Sequence, residues 1–261
     1  MGKLIEKVIS DRLQFHIISN NFIYQSQLSG LKFKSTTDTG IALTHFIHSG
    51  WIKNISTRSL AFDIAQFFPS LNHQLPMLIL SKASFNSKVI QFFLNYLVKR
   101  KTKYFWNNFS SSFFEVNVGV GQGSALSPIL SALYLSPFLY ILEKCLKILD
   151  LKISILSFVD DSLLLAQSKF FLIFNAHLYS NYNVVFNLLS KFSLLVEHSK
   201  TEVFHFSRSH EVFNLPPLDL SPIGGPILQS KEIWRYLGLF SIVNSKVYED
   251  IRQLNKRPYT T

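Results

Sequence analysis

The spacing of apolar residues changes several times along the chain, and each change marks an element. Residues 3–18 carry apolar side chains at helical spacing, with Leu4, Ile5, Val8, Ile9 and Leu13 expected on one face. A polar loop, QSQLSGLKFKSTTDTG, separates it from a second predicted helix over residues 41–52. RSLAFDIAQFFPSL reads as a strand ending at Asp63, then a turn in which Pro69 opens a helix. A helix is predicted over 88–97, and VKRKTKYFWNNFSSSFFEVNV reads as two strands around an Asn-Ser turn. The stretch around Gly119 to Pro128 opens a long apolar helix. ISILSFVDDSLLLAQS reads as two short apolar strands flanking Asp160 and Asp161. Phe174, Leu178, Val185, Leu189 and Phe192 share one face of the next helix. TEVFHFS alternates as a strand, PPLDLSPIGGP reads as a loop, and EIWRYLGLF as a short strand or hairpin arm.

The middle of the chain therefore runs strand, helix, helix, two strands, helix, strand. That order fits an α+β domain of the split βαβ kind with an antiparallel sheet. In such a sheet the strand carrying Asp63 can end beside the Asp160–Asp161 turn. Burying a carboxylate costs several kcal/mol unless something pairs with it. Two readings of the acid pair stand at this point: a hairpin with a solvated tip, or a site for a hard cation such as Mg²⁺.

Length and composition narrow the partners. The chain has 261 residues, enough for one or two domains with a core, and 48% are hydrophobic, 25 of them Phe. Lys plus Arg number 26 against 16 Asp plus Glu, a net charge of +10. Such a balance suits an anionic partner, nucleic acid first and an anionic membrane second. The one cysteine, Cys145, excludes an internal disulfide, and the eight histidines show no zinc-ligand spacing. The start, MGKLIEKVISDRL, has no apolar signal core, so an intracellular location, nucleus or cytoplasm, is expected. Residues 124–142 are uncharged and about long enough to span a membrane. They also hold two prolines and four serines and follow a polar turn, so a buried helix is expected there and no membrane.

LAFDIAQFFPSL, GQGSALSPIL, FVDD, VEHSKTEVFHF and WRYLGL, in that order, resemble the motif series of reverse transcriptases, most closely those of non-LTR, LINE-type retrotransposons. KLIEKVISDRL and KFKSTTDT resemble the family's upstream fingers segments, and the resemblance runs over about residues 3–239. It implies a right-hand polymerase made of fingers and palm. Residues 1–58 would be partial fingers, 59–241 palm with inserted fingers or hairpin elements and primer grip, and 242–261 a divergent tail. No helical thumb is read after the primer grip, so the thumb is expected to be missing.

The resemblance also assigns residues. Asp63, Asp160 and Asp161 would hold two Mg²⁺ ions, or Mn²⁺, and Lys200 would serve the leaving pyrophosphate. Phe68 would sense the sugar, while Gln122 and Gly123 would line the nucleotide and template. Lys32 or Lys34 would meet the triphosphate, because Leu31 stands where the family often has Arg. Trp234, Tyr236, Leu237 and Gly238 would grip the primer. Lys99, Arg100, Lys101 and Lys103, followed by Tyr104, Phe105 and Trp106, combine phosphate-pairing charge with stacking faces. Expected partners are an RNA template, a DNA primer and dNTPs. Phe68 argues against an RNA polymerase, which must admit a 2′-OH. The rival reading is a truncated element remnant that only binds nucleic acid. Gly121 for the usual Pro and Glu197 for the usual Asn are departures from the family pattern.

Overall fold

In the computed structural model the described residues are 2–83, 85–148, 153–208, 215–231, 233–237 and 239–242. Helix α1 covers Gly2–Ser19 and α2 covers Thr36–Ile52. α2 starts ahead of the predicted helix because Ser35 and Asp38 form a capping box. The Ser35 N–H donates to Asp38 Oδ2 at 2.7 Å, and the Asp38 N–H donates to Ser35 Oγ at 3.3 Å. Strand β1, Ser56–Ala65, runs past Asp63, because its last two residues find a partner described below. Pro69 lies inside the one-turn helix α3, Phe67–Ser70, and the longer helix α4 begins only at Gln74 and ends at Lys82. α5 is Ser87–Leu97.

The next segment is a ribbon of two stacked pairs rather than two plain strands. β2 (Arg100–Thr102) pairs with β5 (Phe114–Val116), and β3 (Phe105–Trp106) with β4 (Phe109–Ser110). Its turn falls at Asn107–Asn108, where Asn107 takes a left-handed φ of 51°, not at the predicted Asn-Ser. The long helix α6, Ser127–Ile148, follows, then β6 (Ile153–Phe158), β7 (Asp161–Ser168) and α7 (Phe171–Lys191). β8 (Leu195–Val196), a turn of 3-10 helix at His198–Lys200 and β9 (Glu202–Phe206) complete the central part. The predicted loop after it holds a small hairpin, β10 (Leu218–Asp219) with β11 (Ile227–Leu228). β12 (Ser230–Lys231) and the hairpin of β13 (Ile233–Tyr236) with β14 (Leu239–Ile242) end the described chain. The expected tail at 243–261 lies outside the described residues.

The main sheet has the order β12-β9-β1-β7-β6, with β8 also on β1. β1, β6, β7, β8 and β9 pair antiparallel, as expected, but β12 joins β9 in parallel, so the sheet is mixed. Helices α6 and α7 bury one face, where Leu60, Phe62, Ile64, Leu164 and Ala166 meet Leu133, Leu139, Leu178 and Val185 in one cluster. On the other face Leu43 and Ile47 of α2 and Tyr236 of β13 cover Leu163, Leu165, Phe204 and Phe206. Both faces are dry, so β7 and β9 read as nearly continuous apolar runs and TEVFHFS is buried on both sides.

The predicted buried face of α1 is rotated. Ser10, Leu13, Gln14 and Ile17 point inward, while Leu4, Ile5 and Val8 stay exposed. Gln14 turns in because its Oε1 accepts the Lys32 N–H of the following loop at 2.9 Å. Over Ser127–Leu146, α6 is long and apolar enough to cross a membrane, but 67% of its most apolar window is buried in the fold. Tyr24 N–H donates to Ser136 Oγ at 2.7 Å, so this helix is the post on which the α1–α2 loop hangs.

Candidate active site

The acids meet because of strand register. β1 and β7 place Asp63 directly opposite Asp161, and side chains on such a cross-strand pair share a face of the sheet. Alternation along β7 puts Asp161 on the side of Leu163 and Leu165, the α2 side. The Ile64 N–H donates to the Asp160 carbonyl at 3.1 Å, which ties the β6–β7 turn to β1. That turn is strained: Val159, a β-branched residue, has φ +58°. Such a conformation costs about 1–3 kcal/mol. It is held from outside, as the Val159 N–H donates to Ser29 Oγ at 2.6 Å. The loop carrying Ser29 is itself fixed by a bridge between Gln27 and Ser157.

The negative charge of the cluster is only partly relieved, by Lys200. All three acids are half-buried. Burial first, then the charges of Asp160 and Asp63, push the Asp161 carboxyl up to about 6. Burial and the Asp63 charge also raise Asp160. Asp63 Oδ2 accepts from Lys200 Nζ at 2.5 Å, while Asp63 Oδ1 is buried with no hydrogen-bond partner among the described residues. Bonding to Asp63 in turn raises the Lys200 ammonium. Lys200 arrives there because β8 pairs with the end of β1, Ile64 against Val196 and Ala65 against Leu195, and the Glu197 N–H donates to the Asp63 carbonyl at 2.8 Å.

Among the described residues no three His, Cys, Asp or Glu side chains converge in metal-holding geometry. The donor set nevertheless fits a hard cation: carboxylate oxygens alone, one of them orphaned, with two carboxyls raised by burial first and by neighbouring carboxylate charge second. Lys200 occupies the cationic position beside Asp63.

The residues that follow β1 form a second group with the turn before α6. Phe67 is buried and Phe68 is half-buried against it, their rings 5.6 Å apart. The Val120 N–H donates to the Phe68 carbonyl at 2.8 Å. Gly119 makes this approach possible: its φ is +76°, and a Cβ there would lie 2.5 Å from the Pro69 carbonyl oxygen. Gln122 and Gly123 are exposed in the turn before α6, and nothing lies within 4 Å of where a Gly123 Cβ would be. The turn is braced from below by a chain that the sequence motifs did not reveal. Tyr96 Oη donates to Ser124 Oγ at 2.8 Å, and Ser124 Oγ donates to Glu6 Oε2 at 2.8 Å. Only the tertiary fold brings α1, α5 and the turn together; no spacing in the sequence signals it.

The other expected site residues are distributed. Lys32 pairs with Asp11 at 3.1 Å and Lys34 is exposed on the same loop. Arg100 turns inward, its Nη1 donating to the Gly119 carbonyl at 2.7 Å, whereas Lys99 and Lys101 are exposed on the ribbon and Lys103 is half-exposed there. Tyr236 is buried and Leu237 half-buried against the α2-side cluster. Burial first, and the charge of Asp161 second, push the Tyr236 phenol up. Trp234 lies on β13 with its side chain outside the described set, and Gly238 is outside the described residues.

A family model for "Reverse transcriptase (RNA-dependent DNA polymerase)" matches residues 1–240. The chain belongs to the reverse transcriptase family. Solved structures agree on the fold. Telomerase from Candida tropicalis, in complex with a fragment of telomeric RNA, superposes with a TM-score of 0.65 at 17% identity, covering 97% of this chain and 38% of that one. The apo enzyme from the same organism, truncated from its C-terminal domain, gives 0.60 at 16%, covering 90% and 43%. Telomerase from Candida albicans, with a telomeric RNA fragment, gives 0.59 at 14%, covering 83% and 37%. This reverse transcriptase chain thus spans 37% to 43% of the length of these telomerase chains. No curated protein matches it. The α+β architecture of this reverse transcriptase domain is therefore the fingers-and-palm fold.

Proposed function

We propose that this chain is the polymerase core of a LINE-type retrotransposon reverse transcriptase, extending a DNA primer 3′-OH with dNTPs on an RNA template. The observation that carries the reading is the pairing of Asp63 with Asp161 beside Asp160, with Asp63 Oδ1 left without a partner. Asp63 and Asp160 would hold two divalent ions, Mg²⁺ or Mn²⁺, with Asp161 in support. When bound, the ions neutralise charge on the attacking and leaving oxygens. Lys200, freed from Asp63, is near enough to give its charge or a proton to the departing pyrophosphate. Phe68 supplies an aromatic wall against a 2′-OH, and the open backbone at Gly123 lets nucleotide and template come close. Support for the retrotransposon assignment comes from the FVDD, GQGS and WRYLGL motifs in order.

The experiment is RNA-templated primer extension with dNTPs and Mg²⁺. Asp160→Asn is expected to lower the rate by roughly 100-fold or more with folding and template binding unchanged. Phe68→Val is expected to raise rNTP use relative to dNTP, read as the ratio of the two kcat/KM values. Template binding without any extension by the unaltered chain would favour the remnant reading instead. Full activity of Asp160→Asn would remove the metal-site assignment.

A further inference from the structure

The ribbon β2–β5 gathers a run of exposed aromatic side chains. Tyr104, Phe105, Trp106, Phe109 and Phe113 are each between 64% and 77% exposed, with Phe114 at 37%. None of them joins either hydrophobic cluster. The ribbon contributes little to the fold's stability, since its ladders have only five register pairs and no third strand joins them among the described residues. Six solvent-facing rings on a two-stranded arm mark a binding surface rather than a core.

Its charge says what the surface binds. Residues 99–118 hold Lys99, Arg100, Lys101 and Lys103 against one acid, Glu115. Arg100 is spent on the Gly119 carbonyl, so Lys99, Lys101 and Lys103 supply the outward positive charge. The rings sort into two groups. Lys103 Nζ lies 4.4 Å from the Phe105 ring centre and 5.1 Å from that of Phe113, a cation held between two aromatic faces. Tyr104 lies 5.2 Å from Phe114, and Trp106 pairs across the strands with Phe109. Exposed rings interleaved with lysines match a strand of unpaired bases, each offering a π-face and a phosphate. A duplex offers the phosphates but hides the faces.

Position adds the last element. The ribbon stands on Gly119, which abuts Pro69, and the next residue, Val120, bonds Phe68. Its foot thus abuts the segment carrying Phe68, which the proposed function makes the wall beside the incoming nucleotide. We propose that the ribbon is a stacking arm for single-stranded nucleic acid, taking bases on Tyr104, Trp106 and Phe109 and phosphates on Lys99 and Lys101. This rests on the nucleic-acid reading above and adds the kind of strand, the rings that hold it and the exclusion of Arg100.

The test uses the full chain and labelled 15-mers rU15, dT15 and a 15-base-pair duplex, read by fluorescence anisotropy without catalysis. The triple variant Tyr104→Ala, Trp106→Ala, Phe109→Ala is expected to lose roughly 100-fold in affinity for single strands and little for duplex. Because these side chains are exposed, its unfolding midpoint should be unchanged. The ring-preserving set Tyr104→Phe, Trp106→Phe, Phe109→Tyr should bind as the parent does, and it decides the matter if the alanine variant folds poorly. Lys99→Ala with Lys101→Ala should weaken all three probes and flatten the salt dependence. Comparison of rU15 with dT15 tells whether the strand is RNA or DNA. Equal losses for single strand and duplex, or unchanged single-strand affinity in the alanine variant, would overturn the proposal. So would ring-dependent binding to phosphatidylcholine vesicles with rU15 and dT15 unaffected. A chain that stacks bases yet extends no primer fails the polymerase reading and leaves the arm standing; one that polymerises with an arm indifferent to the rings does the reverse.

Discussion

Arg58 and Asp63 sit on the same strand and point to opposite faces of the same sheet. Arg58 is fully buried on the α7 side. Its guanidinium donates to Asn175 Oδ1 and to the Pro216 carbonyl, and burial lowers its pKa to about 10. Opposite it on β9 lies His205, held down at about 4 by burial and by the Arg58 charge. Asp63 is half-buried on the α2 side, with one oxygen on a mostly exposed lysine and the other without a hydrogen-bond partner among the described residues. The two ends of β1 show how charge is handled differently. At the Arg58 end the hydrogen-bonding partners come from within the fold, and the group locks α7 and the 216 loop to the sheet. At the Asp63 end like charges crowd together and a cation is wanted, which is the arrangement expected of a site that binds and works.

The sharpest way to break this contrast is to remove the locked charge. Arg58→Ala leaves a cavity, strips Asn175 Oδ1 of the Arg58 donor and leaves the Pro216 carbonyl only the long 3.5 Å bond from Asn175 Nδ2, so a loss of about 2–4 kcal/mol is expected. It would be read as a fall in the urea midpoint at constant slope. A loss below about 1 kcal/mol would mean that Arg58 is not the lock.

A smaller effect separates the two ends by pH in metal-free protein. His205 has its folded pKa below the usual 6.5, so its stabilisation is complete above pH 6.5 and is lost as pH falls through about 4, by about 3 kcal/mol in all. Asp161 has the opposite sign. Its folded value of about 6 lies above the ordinary 3.8, so the stability it contributes is present below 3.8 and is lost as pH rises through 6. Because the group is partly exposed, about 1 kcal/mol is expected from it. His205→Gln should flatten the acid loss between pH 6.5 and 4, and Asp161→Asn should steepen it. Urea titrations across that window, with chelator present, check both.

The smallest change concerns Lys200. Its ion pair with Asp63 is exposed on the lysine side, so Lys200→Ala should shift stability by less than about 1 kcal/mol. Since the ammonium competes for the same oxygen as a metal ion, the variant should bind Mn²⁺ about fivefold more tightly while extending primers more slowly. Weaker Mn²⁺ binding would instead make Lys200 a supporting part of the metal site.

Much of this was legible without the structure. The apolar runs around Asp160 and Asp161 gave two strands, and the order of elements gave the split βαβ sheet that joins them to Asp63. These features are local in pattern or follow from a short menu of topologies. The rotation of α1 was not legible, because the deciding contact is Gln14 with a loop backbone, and apolar spacing carries no information about that. Nor was the inward turn of Arg100, whose side chain looks in the sequence like its neighbours Lys99 and Lys101.

By itself, then, the sequence determined which residue types are present and which local periods they follow: the acids between apolar strands, the glycines at Gly119 and Gly123, and the basic aromatic stretch after α5. Tertiary structure alone decided which of these meet. Pairing of β8 with the end of β1 carries Lys200 to Asp63, Ser29 props the strained Val159, and Glu6, Ser124 and Tyr96 brace the turn. The reason is physical. Periodicity reports the burial of each residue against an average interior, whereas a hydrogen bond between distant segments depends on distances of a few tenths of an ångström that only the packed fold fixes.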